Sequence, residues 1–266
     1  MTLRTMSMGG GVQSTACLVL AAQGQIDFPI FLFANVGADS ENPDTLRYIE
    51  EYSKPYAAAH GIEFHELQRI PTRGKSKAQV QTVYGHVAGN NRSVIIPVKM
   101  GNGAPGNRKC TDMFKIQLVS NWQRAQGATA DNPAVCGLGI SMDEIQRMRN
   151  DSRIKTQVLE YPLIDLRLTR QDCRNIIAAA GLPVPPKSAC WFCPFQKHSE
   201  WTEMKRTRPA MFQQAIELED RINDKRNAFG RDRVYLHPSL VPLDQAVGLQ
   251  YSLFEDEPCD SGYCFT

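Results

Sequence analysis

The residues best able to do chemistry in this 266-residue chain are three cysteines and a run of glycines. Cys190 and Cys193 stand in ACWFCPF, a CxxC followed by proline, and Cys110 lies 80 positions upstream in NRKCTDMFKI. Two thiolates separated by two residues on a tight turn can hold a soft metal, and a distant third thiolate can close the site. Zinc offers a second reading, with Cys110, Cys190, Cys193 and His198 as a tetrahedral set. A metal-free redox pair is a third, although the proline-rich lead LPVPPKSAC does not put the first cysteine at a helix start after a strand.

The glycines sit in SMGGGVQST, residues 7–15. A turn of Gly9, Gly10 and Gly11 lets the backbone bend sharply and approach a ligand with no Cβ in the way. Its N–H groups, with the positive end of a helix starting near Gln13, form an anion site, to which Ser7, Ser14 and Thr15 add hydroxyls. Phosphate is the natural occupant. No Lys follows at the position of GxxxxGK[ST], and Ser14 breaks the GxGxxG spacing, so neither a P-loop kinase nor a dinucleotide-binding dehydrogenase is favoured. Arg108, Lys109, Lys115 and Arg147 are the candidate clamps for such an anion. Asp143 and Glu144 could hold Mg²⁺ if ATP is cleaved, or could favour a helix start.

Helix and strand must alternate to position these groups. QSTACLVLAAQG has helical periodicity ending at Gly24, and PIFLFANVG reads as a fully buried strand. A helix follows over 44–60, then the strand IEFHEL. Residues 69–109, rich in Gly, Pro, Asn and positive charge, read as a mobile loop beside the site. The alternation resumes with a helix from Cys110, a strand in NPAVCGLGIS, a short helix in SMDEIQRMRN, a strand in KTQVLEYPLID and a helix in TRQDCRNIIAAAG. This order predicts an α/β fold, a parallel twisted sheet with helices on both faces. The expected division is one nucleotide-binding domain over 1–205, carrying the cysteines, and a C-terminal helix with a flexible tail over 206–266.

Composition sets the outer limits. The 30 Lys and Arg nearly cancel the 28 Asp and Glu, so any nucleic-acid contact has to be local. No run approaches the ~18 apolar residues needed to cross a bilayer, and MTLRTMSMGGG lacks a secretory signal's apolar core, so a cytoplasmic location without membrane contact is expected. Eight cysteines in a reducing compartment point to metal or redox chemistry for those in motifs. Cys17, Cys136 and Cys173 read as small buried hydrophobes, and Trp122 and Trp201 as core.

The glycine segment resembles the PP-loop of the adenine nucleotide alpha-hydrolase superfamily, which includes ATP pyrophosphatases, tRNA thiolases and phosphoadenylylsulfate reductases. The usual SGGxDS is here Gly9-Gly10-Gly11-Val12-Gln13-Ser14, with Gln in place of Asp, as in sulfonucleotide reductases. Glu41-Asn42-Pro43-Asp44-Thr45 matches the E-x-P-x-T signature of those reductases, GISMDEIQR sits where the family has a turn ending in Arg, here Arg147, and YPLIDLRLTRQDC is similar to its Pro-Leu segment. The cysteine layout is similar to that of adenylylsulfate reductases, whose four-iron cluster uses a Cys-Cys pair before a CxxC; Lys109 stands where the first Cys of that pair would be.

The resemblance implies an adenine nucleotide, ATP or a sulfonucleotide, held by residues 7–15, and a [4Fe–4S] cluster on Cys110, Cys190 and Cys193. Three protein thiolates leave one iron open, as in the superfamily's thiolases, which tilts the expectation towards ATP-dependent adenylation and thiolation of an acceptor. The expected acceptor is a nucleic acid, contacted through the 69–109 loop and Lys205-Arg206, and the sulfur source is a donor protein; a homodimer is left open. The alternatives are a reductase that releases sulfite from APS or PAPS, with Cys259 or Cys264 of the tail as nucleophile, and a zinc-stapled binding module without turnover. Lys109 and Arg147 are the other residues assigned to catalysis.

Overall fold

The computed structural model describes residues 2–72, 77–91, 93–149 and 152–248. Cys259, Cys264 and the rest of the expected flexible tail lie outside the described residues. Five strands form one parallel sheet in the order β3-β2-β1-β4-β5: β1 Arg4–Met8, β2 Ile30–Asn35, β3 Glu63–Gln68, β4 Ala134–Leu138 and β5 Gln157–Glu160. The central strands β1, β2 and β4 are almost wholly buried; β2 and β4 are the near-continuous apolar runs expected when helices cover both faces, whereas β1 buries Thr5 and Ser7 between its methionines. No helix among the described residues is long and apolar enough to cross a membrane.

Side chains alternate across the sheet. Met6 and Met8 of β1 face a core that includes α1, Val12–Ala22, and α8, Arg170–Ala179. On the other face Thr5 accepts a hydrogen bond from Gln123 of α6, Gln117–Ala125, where Val119 packs with Leu32, Cys136 and Leu138. Cys17, Cys136 and Cys173 are buried and free, Trp201 is fully buried, and Trp122 is partly buried against the second core.

The helix expected over 44–60 is α2, Pro43–Tyr48, continued through a π-helical turn, Ile49–Ser53, into α3, Lys54–Ala59. Pro43 opens it and Asn42 caps it, accepting from the Asp44 N–H at 3.1 Å. The helix from Cys110 has the same build: α5, Lys109–Thr111, a π turn, Asp112–Ile116, then α6. The strand expected in KTQVLEYPLID stops at Glu160, because Pro162 opens α7, Pro162–Asp165.

Residues 69–109 differ from the mobile loop expected of them. They contain α4, Val83–Ala88, and bury Ile95, Ile96 and Val98 in a third core with Phe114, Trp191, Phe192 and the C-terminal helices. Those helices are α9, His198–Thr207, α10, Pro209–Asn227, and α11, Leu243–Ala246. The boundary expected at 205/206 falls inside α9, whose Trp201 and Met204 share this core with Phe212 and Leu218 of α10. Each large apolar side chain so buried contributes about 1.5–3 kcal/mol, which is how a segment poor in regular structure is held. Cys110 and Cys190 pack at the edge of that core.

Candidate active site

The strand order reverses about β1, which lies between β2 and β4, and the carboxyl ends of β1 and β4 open into the crevice where ligands of such sheets bind. The glycine turn sits there. Gly10 has φ +77°, and a Cβ on it would lie 2.7 Å from Thr45 Cγ2. Gly11 caps α1 in extended conformation without offering a side-chain acceptor, and no acidic residue occupies the first turn. The Ser14 hydroxyl donates to Gly11 C=O at 3.1 Å. Ser7 and Thr15 are buried, and their hydroxyls have no hydrogen-bond partner among the described residues. Gln13 is buried beside them. The turn therefore presents helix N–H groups and a positive dipole end to the crevice, while the Ser7 hydroxyl faces the cavity on the α6 side of β1 and Thr15 is fully buried.

The exit of β4 closes the other side. A Cβ on Gly139 would stand 3.1 Å from the Ser14 nitrogen and 3.3 Å from the Gln13 carbonyl carbon, so β4 runs against the start of α1 at glycine distance. A short 3₁₀ helix, Met142–Arg147, follows. Its Arg147 is buried, pairs with the buried Glu144, and keeps an Nε without a partner among the described residues. Asp143 accepts from the Arg170 N–H and from the Ser141 hydroxyl, which makes it part of the start of α8. Both carboxylates considered for Mg²⁺ thus have protein partners. Below the crevice, a cavity of ≈ 60 Å³ is lined by Ser7, Leu138, Arg149, Arg153 and Gln157 among others.

The cysteines are brought to the same end of the sheet. The strap 187–191 lies antiparallel to residues 40–42: Asn42 N–H donates to Ala189 C=O at 3.0 Å, and Trp191 N–H to Ser40 C=O at 3.1 Å. This seats Ser188 beside Gly11, 3.9 Å from where a Cβ of Gly11 would be. Cys193 N–H donates to Cys190 C=O at 3.0 Å, closing the CxxC turn, and Cys110 N–H donates to Ile95 C=O at 2.9 Å. Burial pushes the Cys190 thiol well above its ordinary pKa; the Glu41 carboxylate, Cys193 and Cys110 push the same way, and the Lys115 ammonium opposes them. Among the described residues no three His, Cys, Asp or Glu side chains stand as ligands of one ion. Trp191 and Phe192, 4.9 Å apart and edge to face, cover this side from water.

Glu41 is fully enclosed, accepts from the Ser188 hydroxyl and the Asn42 N–H, both at 3.3 Å, and is pushed up by burial against the pull of Lys115. Sequence reasoning took Glu41 as a signature residue without a role; its signal was the motif alone. Gly139 gave none beyond following a strand. Among the expected clamps, Lys115 and Arg147 are buried at the site, Lys109 is exposed, and the Arg108 guanidinium lies 5.2 Å from the centre of the Phe195 ring. Lys205 donates to Val247 C=O and Arg206 pairs with Glu203. His198 shares Nδ1 with His237 Nε2 at 3.1 Å and Nε2 with the Thr202 hydroxyl at 3.4 Å, so both ring nitrogens are engaged within the protein. Comparison with protein-family models finds no match for the chain, and neither does comparison with curated proteins.

Proposed function

We propose that this chain is a PP-loop enzyme that binds an adenine nucleotide at residues 7–15, adenylates an acceptor with release of pyrophosphate, and lets sulfur replace the activated oxygen. The observation that carries the reading is the seating of the Cys190 strap against Gly11, at the switch point of a parallel sheet. A phosphate chain and a sulfur-bearing centre would there be neighbours.

In this reading the N–H groups of the glycine turn and the start of α1 hold the phosphates, and the Ser14 hydroxyl exchanges its bond to Gly11 C=O for one to a phosphate oxygen. Arg147 adds a cation whose Nε has no partner among the described residues. An acceptor oxygen attacks the α-phosphorus, the bond to the bridging oxygen breaks and pyrophosphate leaves. A nucleophilic sulfur then takes the place of the adenylated oxygen, and AMP departs. Lys115, buried, opposes with its charge the upward push of burial on both Glu41 and Cys190, and so favours anionic sulfur at Cys190.

Cys110, Cys190 and Cys193 are the residues that would hold an iron–sulfur cluster. The donor type fits, since Cys110 and Cys190 pack against one core and Cys193 closes the turn with Cys190, although the side chains as placed are not gathered as ligands of one ion. When bound, such a cluster supplies an open iron that can carry sulfide. A nucleic acid is the acceptor in this reading, and a cytoplasmic setting agrees with the free thiols.

The test is anaerobic purification, then iron and acid-labile sulfide analysis alongside ATP–pyrophosphate exchange. Iron with sulfide and measurable exchange are expected. Absence of both overturns the proposal.

A further inference from the structure

A second cavity, of ≈ 350 Å³ and open to solvent on one side, is lined by residues of the Cys190 strap, α9 and the start of α10. It falls within the ~300–1,000 Å³ of small-molecule sites. Its inner wall is apolar and rich in sulfur: Cys190, Trp191, Met204 and Met211. The Trp191 ring is fixed, because its Nε1–H donates to Asp39 C=O at 2.8 Å.

The outer wall is charged, with two groups of each sign. Lys187 Nζ lies 2.9 Å from both carboxylate oxygens of Glu200, and Arg208 pairs with Asp44 and donates to Asn42 Oδ1 at 3.2 Å. Among the described residues the Glu203 carboxylate makes an exposed pair with Arg206, which holds it weakly. Ser199 and Glu203 stand exposed at the rim, one helical turn apart on α9.

We infer that this cavity binds a small zwitterionic thiol, cysteine or a short cysteine-containing peptide, with its sulfur towards Cys190. A polyanion would meet Glu200 and Glu203, and a purely apolar ligand would strip water from four charges without replacing it. A ligand carrying both a carboxylate and an ammonium matches Lys187 and Arg208 on one side and Glu203 on the other. Thioethers and an indole face suit a polarisable sulfur. The inference draws on the proposed function only in that sulfur must reach the Cys190 pocket from somewhere.

Titration calorimetry on the full chain, with reduced glutathione, L-cysteine and the same tripeptide carrying alanine in place of cysteine, tests this. Saturable binding of a thiol is expected, with the alanine peptide about two- to tenfold weaker. Glu203→Gln should weaken thiol binding about tenfold, as loss of a charged hydrogen-bond partner does. Ser199→Trp, a change at an exposed helix position, should block the cavity and abolish binding. No saturable binding, binding indifferent to Ser199→Trp, or equal affinity for the alanine peptide overturns the inference. ATP titrated in parallel separates the two readings: ATP binding without thiol binding defeats this one alone, and thiol binding without ATP binding defeats the proposed function alone.

Discussion

Gly10 and Thr45 meet so closely that no side chain can stand between them: a Cβ on Gly10 would lie 2.7 Å from Thr45 Cγ2, on a backbone already at φ +77°. This contact locks the glycine turn to the start of α2. Gly10→Ala should therefore cost about 1–2 kcal/mol for the left-handed conformation and about 1–3 kcal/mol for the overlap. Thermal unfolding should report the loss of stability. Isothermal titration with ATP should report a larger effect, because the turn that carries the N–H groups must open. A folded Gly10→Ala protein with unchanged ATP affinity would remove the turn from the binding site.

Glu219 of α10 fastens residues 230–247 onto the third core. Its buried carboxylate accepts from Leu236 N–H at 2.7 Å and from Leu243 N–H at 3.1 Å. Glu219→Gln would turn an NH₂ group towards one of these donors and leave it unpartnered, at a cost of about 1–3 kcal/mol. Urea unfolding should show a lower midpoint with an unchanged slope. Burial holds the Glu219 carboxyl above its ordinary value, despite the two N–H donors and Arg233. Its folded pKa being raised, the wild type should lose stability as pH rises from the unfolded value of about 4.5 through the folded one, and Glu219→Gln should lack that slope.

His237 carries a pH dependence of the opposite sense. Its ring is enclosed, its Nδ1 accepts from Ser239 N–H at 3.1 Å, and its Nε2 therefore carries the proton that it shares with His198. Burial, with His198 beside it, lowers its pKa from 6.5 to about 4. The unfolded chain then binds the extra proton first. Stability should be complete above pH 6.5 and fall as pH drops towards 4, by about 3 kcal/mol at most. Urea unfolding at pH 7.5, 6 and 5 checks this. His237→Gln should flatten the profile over that range, and a variant as steep as the wild type would place the titrating group elsewhere.

Strands β2 and β4 were legible as short apolar runs flanked by turn residues, and β3 and β5 as short segments between helices, whereas RTMSM of β1 carries polar residues at alternate positions and was marked only by the glycines that follow it. The glycine turn was legible for a similar reason: three glycines between a strand and a helix have few other uses. The third core was not. Val83–Ala88 is six residues long, and Ile95, Ile96 and Val98 lie in irregular backbone, so no helical or strand period marks them. Burial in one core with distant residues, Phe212 and Leu218 among them more than a hundred positions away, makes that segment core. The site divides in the same way. Its phosphate side is local in sequence, whereas the approach of Cys190 to Gly11 depends on pairing between 40–42 and 187–191 that no spacing announces. The charged cavity on α9 is equally non-local, since Lys187 and Glu200 become partners only when the strap folds back.

Arg147 separates what a residue does for stability from what it does for a ligand. It and Glu144 are an ion pair buried beside the exit of β4. Arg147→Ala should cost stability, up to about 3–5 kcal/mol, because it takes the ion-pair partner away from a buried carboxylate. Loss of ATP binding in that variant alone would therefore say little. The double variant Arg147→Met with Glu144→Gln removes both charges at similar volume, and should recover most of that stability. If the Nε of Arg147 faces the nucleotide's phosphates, ATP affinity in the double variant should stay about tenfold or more below wild type, the loss expected for a charged hydrogen bond. Unfolding midpoints and ATP titrations on the same preparations decide it: affinity returning together with stability would make Arg147 a structural partner of Glu144 and no more.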